Sequence, residues 1–210
     1  KYIVNNKNIW ILHQSLMMGY SENRQEDLEK LDLLSDINIK ERGFARDYSL
    51  RAILEIEHLS KDCEVAKSYS KKGYSLKLDS QLSLIAGFVH LACGDNSASL
   101  KFLGEHLSLS PVDTGYMATH MYAANLFILK TEKEMREFIG DKINNDDMWG
   151  MVYWYYAYYE IQKGNLEKAR ELLKKGKENG ALKKWIAANL RNPQVEERLT
   201  KTLETLGPLE

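Results

Sequence analysis

The sequence predicts an all-α chain built from repeated helix pairs, and three observations carry that expectation. Only three prolines, Pro111, Pro193 and Pro208, interrupt 210 residues, so long helices can run. No alternating apolar and polar run bounded by turn residues marks a strand. Gly94 and Gly164 each close an apolar helical segment and stand seventy residues apart. That is two lengths of about 35, close to the ~34-residue period of stacked helix pairs.

The elements follow in order. In segment 6–34, Ile9, Leu12, Leu16, Met17 and Tyr20 space out one helix. Leu28, Leu31, Leu34 and Ile37 space out a second, and the two make a divergent opening pair within 1–44. Segments 47–59 and 62–78 form the next pair. A third runs from Ser80 through Gly94 to Pro111, with Asp95 or Asn96 starting its second helix. A fourth joins 115–129 to 132–143, where Thr131 and Glu134 have capping-box spacing. The clearest unit is 146–179: Gly164 ends one helix as a left-handed cap, and Asn165 caps the next by accepting a backbone hydrogen bond. Segments 181–191 and 194–206 close the chain, with Pro193 in the first turn of the last helix. Ala66, Ser99 and Ala169 fall at matching positions of the second helices, opposite Ala86, Gly87 and Ala157 on the first. Small residues there let paired helices approach closely.

Composition narrows the function classes. Charge is balanced, with 29 basic and 30 acidic residues, so no net field draws nucleic acid. No apolar run reaches the ~20 residues of a membrane helix. Cys63 and Cys93 lack a Cys-x-x-Cys partner and read as small core residues rather than a disulfide or a zinc site. The chain starts at Lys1 rather than Met, as an excised fragment would. A cytoplasmic location is expected.

The stretch 164–176 (GNLEKARELLKKG), set in the paired pattern of 45–180, resembles the tetratricopeptide repeat family. The resemblance implies a right-handed α-α superhelix: one domain over 1–210, with about four repeats in 45–180 and capping helices in 181–207. It also implies a non-catalytic scaffold that holds a peptide or helix of a partner protein in a concave groove. The degenerate repeats and final helix are similar, more weakly, to the C-terminal region of bacterial transcriptional activators. That likeness implies the alternative of a small-molecule-sensing or oligomerisation domain of a regulator, and the secretion chaperones that carry such repeats are a comparable alternative.

Seven aromatics crowd Trp149 to Tyr159. If Ala157 faces its own partner helix, then Tyr153, Tyr156 and Glu160 share that side. Trp154, Tyr155 and Tyr158, with Gln162, would then point toward a groove, and Leu84, Ile85 and Phe88 hold the equivalent face one repeat earlier. Such a groove would be largely apolar and suit an amphipathic helix, an apolar peptide or a second copy of the chain. On this reading Trp154→Ala weakens binding and leaves melting unchanged.

No two of His13, His58, His90, His106 and His120 have the i, i+4 spacing of a helical metal pair, and His90 reads as a satisfied core residue. The acidic loop 140–147 fails the calcium-loop pattern, with Asp146 where glycine is required. Phosphate loops and nucleophile elbows are absent. Neither metal, cofactor nor catalytic residue is expected.

Overall fold

In the computed structural model the described residues are 9, 11–13, 16, 20, 22–59, 62–110, 117–129, 131–140, 150–178 and 192–206. Ten helices are defined among them, and no strand. They are α1 (Arg24–Glu41), α2 (Ala45–Glu57), α3 (Cys63–Leu76), α4 (Ser80–Ala92), α5 (Asn96–Leu109), α6 (Met117–Leu129), α7 (Glu132–Ile139), α8 (Met151–Gln162), α9 (Leu166–Glu178) and α10 (Pro193–Leu206). The expectations for Met17, Pro111, Trp149, most of the acidic loop and segment 181–191 fall outside the described residues. The chain divides into two compact units, Lys1–Val89 and His90–Glu210.

The first unit has a leucine-rich core. Ile9, Leu16, Leu31, Leu50 and Leu54 are buried, with Leu12, Leu28, Leu34 and Leu59 packed around them. The spacings of the opening segment therefore place its leucines correctly, while Tyr20 lies outside the helical residues and is exposed. Helix α1 packs on α2, and α2 on α3. Arg51 anchors the first contact. Its guanidinium meets Asp32 at 2.8 Å, Asp36 at 3.1 Å and Glu55 at 2.7 Å, and it donates to Ser35 Oγ at 2.6 Å. A buried cation needs this many acceptors to offset its lost hydration.

The second unit is organised around α6 and α8. Helix α6 packs against α5, α7, α8 and α10, and α8 also against α9 and α10. The glycine turns close as the sequence suggests. Gly94 (φ 74°) and Gly164 (φ 80°) are left-handed. At each turn the glycine N–H bonds the carbonyl three residues back, and the next N–H bonds the one five back: Gly94 to Leu91 and Asp95 to His90, then Gly164 to Ile161 and Asn165 to Glu160. This double bond is the Schellman arrangement, which satisfies the last carbonyls of a helix. Thr131 and Glu134 form the expected reciprocal cap, and Asn192 caps α10 through the Gln194 and Val195 N–H groups.

The small residues do what close packing needs. Ala66, Ser99 and Ala169 are all fully buried. Seven residues beyond two of them stand Gly73 and Gly176, where the partner helix comes nearest. A Cβ on Gly73 would lie 2.7 Å from the Ala45 carbonyl oxygen, and one on Gly176 would lie 2.8 Å from that of Gly150 and closer still to Trp154 Cδ1.

The cysteine expectation fails: both Cys63 and Cys93 are disulfide-bonded.

Gly176→Ala should push α9 off α8 and cost about 1–3 kcal/mol, the usual penalty of overpacking. A thermal melt against wild type checks this, and an unchanged midpoint would mean that the helices part without strain.

Candidate functional site

Helix α8 carries aromatic residues on every side, and neighbours cover most of them. Trp154 faces α9, with its indole over Gly176. Tyr155 stacks on Phe127 of α6, with centroids 4.6 Å apart and planes 22° apart. Tyr159 meets Phe127 edge-on. Tyr156 lies under the Arg136 guanidinium of α7, 4.1 Å from the ring centroid. Trp154 is 4 % exposed and Tyr155 not at all, which corrects their assignment to a groove. Trp154 meets α9 and Tyr156 meets α7, whereas Glu160 reaches Asn165 and Lys168 on the α9 side as well as Arg136 of α7. Ala157 alone is too weak a guide to the rotation of the helix.

Tyr158 and Gln162 do reach an open site. Tyr158 is half-buried and Gln162 exposed, and both line a cleft of about 640 Å³ in the second unit. Its walls are the Gly94–Ser97 turn, Ile128 and Leu129 at the end of α6, Tyr158, Ile161 and Gln162 at the end of α8, and one face of α10. Leu84, Ile85 and Phe88 lie on α4 in the first unit, each half-buried, and are not among the lining residues. The lining is also more polar than expected: α10 supplies Gln194, Glu197, Arg198, Lys201, Thr202 and Thr205.

Two residues hold α10 in place. The Asn192 side chain donates to Leu91 O at 2.8 Å and Asn96 Oδ1 at 2.7 Å, while its own oxygen caps α10. Asn96 Nδ2 continues the chain to Gln194 Oε1 at 2.6 Å. Arg198 donates to the carbonyls of Phe127 and Ile128, and its guanidinium lies 5.3 Å from the Phe127 ring centroid and 5.7 Å from that of Tyr158. A cation suits this spot because unpaired carbonyls make a helix C-terminus negative. Val195, Leu199, Thr202 and Leu206 are buried, so α10 is amphipathic, with an apolar stripe inward and a polar flank along the cleft. The Asn-Pro pair signals the start of α10; nothing in its spacing signals what Asn192 and Arg198 reach across the chain.

A pair of side chains bridges each glycine turn. His90 Nδ1 lies 3.0 Å from Asp95 Oδ2, consistent with a satisfied histidine. Seventy residues on, Asn165 Nδ2 donates to Glu160 Oε2 at 2.8 Å. Asn165 thus donates with its side chain rather than capping with it, and its backbone carbonyl accepts the first bond of α9, from Ala169. Glu160 is 2 % exposed and also sits 3.4–3.6 Å from Lys168, Lys163 and Arg136. The Asn165 hydrogen bond first, and the lysines after it, hold its carboxyl below the usual range against the opposing effect of burial.

The first unit brings together a cluster that helical spacing could not reveal. His13 Nδ1 stands 3.1 Å from His58 Nε2, and His13 Nε2 stands 3.3 Å from Glu57 Oε2. His58 Nε2 is 3.9 Å from the same carboxylate oxygen. Burial pushes the His13 imidazole down to about 4, so the ring is neutral near pH 7. The only sequence trace is that His13 follows Ile9 by four residues and His58 follows Leu54 by four, which puts both on core-facing stripes.

No family model, curated protein or solved structure matches this chain.

Trp154→Ala should cost about 3–5 kcal/mol, as deletion of a buried aromatic does. Tyr155→Phe should be neutral or slightly stabilising, because the Tyr155 hydroxyl is buried with no hydrogen-bond partner among the described residues; urea titration of both variants separates the two effects. Glu160 has its carboxyl pKa depressed on folding. Its contribution is therefore present above the ordinary carboxylate range and lost as pH falls through the depressed value. Glu160→Gln should lower stability by about 1.5–3 kcal/mol at pH 7 and flatten the acid limb of a melting-temperature profile. An unchanged acid limb would place the acid sensitivity elsewhere.

Proposed function

We propose that this chain is a non-catalytic interaction module of the tetratricopeptide type, a superhelical stack of helix pairs that holds a segment of a partner protein. The repeated turn chemistry at Gly94 and Gly164 supports the repeat reading, as do the buried small residues in register. The cleft carries the binding reading. It runs past the ends of α6 and α8 and is lined by Tyr158 and the aliphatic Ile128, Leu129 and Ile161 together with side chains that donate and accept hydrogen bonds. A short extended peptide with mixed polar and apolar side chains fits that lining better than an amphipathic helix, whose apolar face needs a continuous greasy floor. Among the described residues no helix is long and apolar enough to cross a membrane. The disulfide-bonded cysteines favour an oxidising compartment over the cytoplasm.

A second reading follows from the cleft's size. About 640 Å³ falls within the ~300–1,000 Å³ of small-ligand pockets, so a sensor domain of a larger regulator would use the same walls.

The test is selection of peptides from a displayed random library on the full chain, followed by calorimetry. Gln162→Ala trims one wall and Thr205→Arg blocks the cleft from another. Each should weaken selected peptides about tenfold, or ~1.4 kcal/mol. The exposed Glu171→Ala on α9 should leave affinity alone. Peptides that bind all variants equally would sink the cleft as the site. A chain that selects no peptide, yet is stabilised by compounds from a metabolite panel, would favour the sensor reading.

A further inference from the structure

We propose that His13, Glu57 and His58 form a binding site for a divalent first-row transition cation, with zinc as the best fit. The three donors come from two separate places in the chain. His13 lies among the helical residues that precede α1. Glu57 is the last residue of α2, and His58 is its C-cap. All three are well shielded: His13 and His58 are 3 % and 9 % exposed, and the Glu57 side chain is 9 % exposed. One donor atom from each lies within 4.8 Å of the others.

The spacing suits a metal. Zinc binds imidazole nitrogen and carboxylate oxygen at about 2.0–2.2 Å, so neighbouring donors of a tetrahedral site stand roughly 3.4 Å apart. His58 Nε2 stands 3.9 Å from Glu57 Oε2, and His13 reaches each with a different nitrogen, Nδ1 at 3.1 Å from His58 and Nε2 at 3.3 Å from Glu57. Only one His13 nitrogen can bind the ion, so the donors would draw together from within 4.8 Å toward the ~3.4 Å of a tetrahedral site. The cation would replace protons now shared among the three groups.

The donor set also chooses the metal class. Two imidazoles exclude calcium and magnesium, which take oxygen ligands, and the lack of sulfur disfavours copper(I). Two histidines and one carboxylate leave a fourth zinc position for a small ligand such as water. Leu12 and Leu59, each adjacent in sequence to a histidine ligand, pack against the apolar core. That setting strengthens the attraction between a cation and the Glu57 carboxylate. Bound metal would tie the opening segment to the end of α2.

The experiment uses the full chain, free of affinity tag and stripped with a chelator. Zn²⁺ is titrated by calorimetry, and Co²⁺ is followed by visible absorption. We expect one equivalent of Zn²⁺ per chain, a rise in melting temperature on adding it, and the intense d–d bands of four-coordinate Co²⁺ with nitrogen and oxygen ligands. Glu57→Gln and His58→Gln should abolish those bands and weaken Zn²⁺ binding by roughly 100-fold or more. His90→Gln, outside the cluster, should change neither. If a ligand variant loses helicity by circular dichroism, the Co²⁺ spectrum of the wild-type chain decides, because surface sites give the weak bands of six-coordinate cobalt. Absence of Zn²⁺ binding at micromolar concentration would overturn the proposal. So would equal affinity in wild type and both ligand variants, and the cluster would then be a hydrogen-bonded His-His-Glu triad.

Discussion

At Gly176 the indole of Trp154 and the carbonyl of Gly150 occupy the space that any side chain would fill. That contact sets the rotation of α8. At about 100° per residue, fixing Trp154 toward α9 sends Tyr155 toward α6, Tyr156 toward α7, and Tyr158 and Gln162 toward the cleft. The stack on Phe127, the cation over Tyr156 and the exposed edge of Tyr158 are all consequences of one backbone approach. Gly73 permits the same approach between α3 and α2 in the first unit, so the constraint recurs with the helix pair.

Around that frame, α10 is fastened by polar bonds at defined points. Asn192 uses its amide donors and its acceptor oxygen, two donated bonds going to the Gly94 turn and its surroundings and two accepted from its own helix. Arg198 closes the end of α6 by taking carbonyls that no helical N–H can reach. The cleft lies between Tyr158 and Ile161 of α8 and the polar flank of α10 that these contacts hold, while Val195 and Leu199 are buried. Its chemistry is therefore set partly by the ends of α6 and α8 and partly by α10.

Features that depend on neighbours in sequence are legible; those that depend on neighbours in space are not. Gly94, Gly164, Thr131 with Glu134, and Asn192-Pro193 mark helix ends through bonds spanning a few residues, and each sits where its pattern implies. Ala66, Ser99 and Ala169 are small because a helix lies against them, and burial agrees. The rotation of α8 escapes the pattern because aromatic residues on all sides give no apolar stripe to orient it, and Ala157 is a weaker constraint than the glycine opposite Trp154. Gln162 and Tyr158 reach the cleft, whereas Trp154 and Tyr155 serve the core. His13 and His58, 45 positions apart, meet only through the packing of α2 on the opening segment, and the state of Cys63 and Cys93 likewise depends on the folded chain.

The bridges across the two glycine turns are built in opposite senses. In one, His90 faces Asp95; in the other, Glu160 faces Asn165. The acidic partner has changed sides, yet the separation in sequence and the turn beneath are the same. Each bridge is thus a matched lock and key. Moving only the residue of position 95 into its counterpart, as Asn165→Asp, would set two carboxylates against each other across one turn. Exchanging the whole stretch 90–95 for 160–165 keeps each bridging pair together but moves Cys93 out of its disulfide. A turn transplanted within this fold therefore has to carry both of its bridging residues.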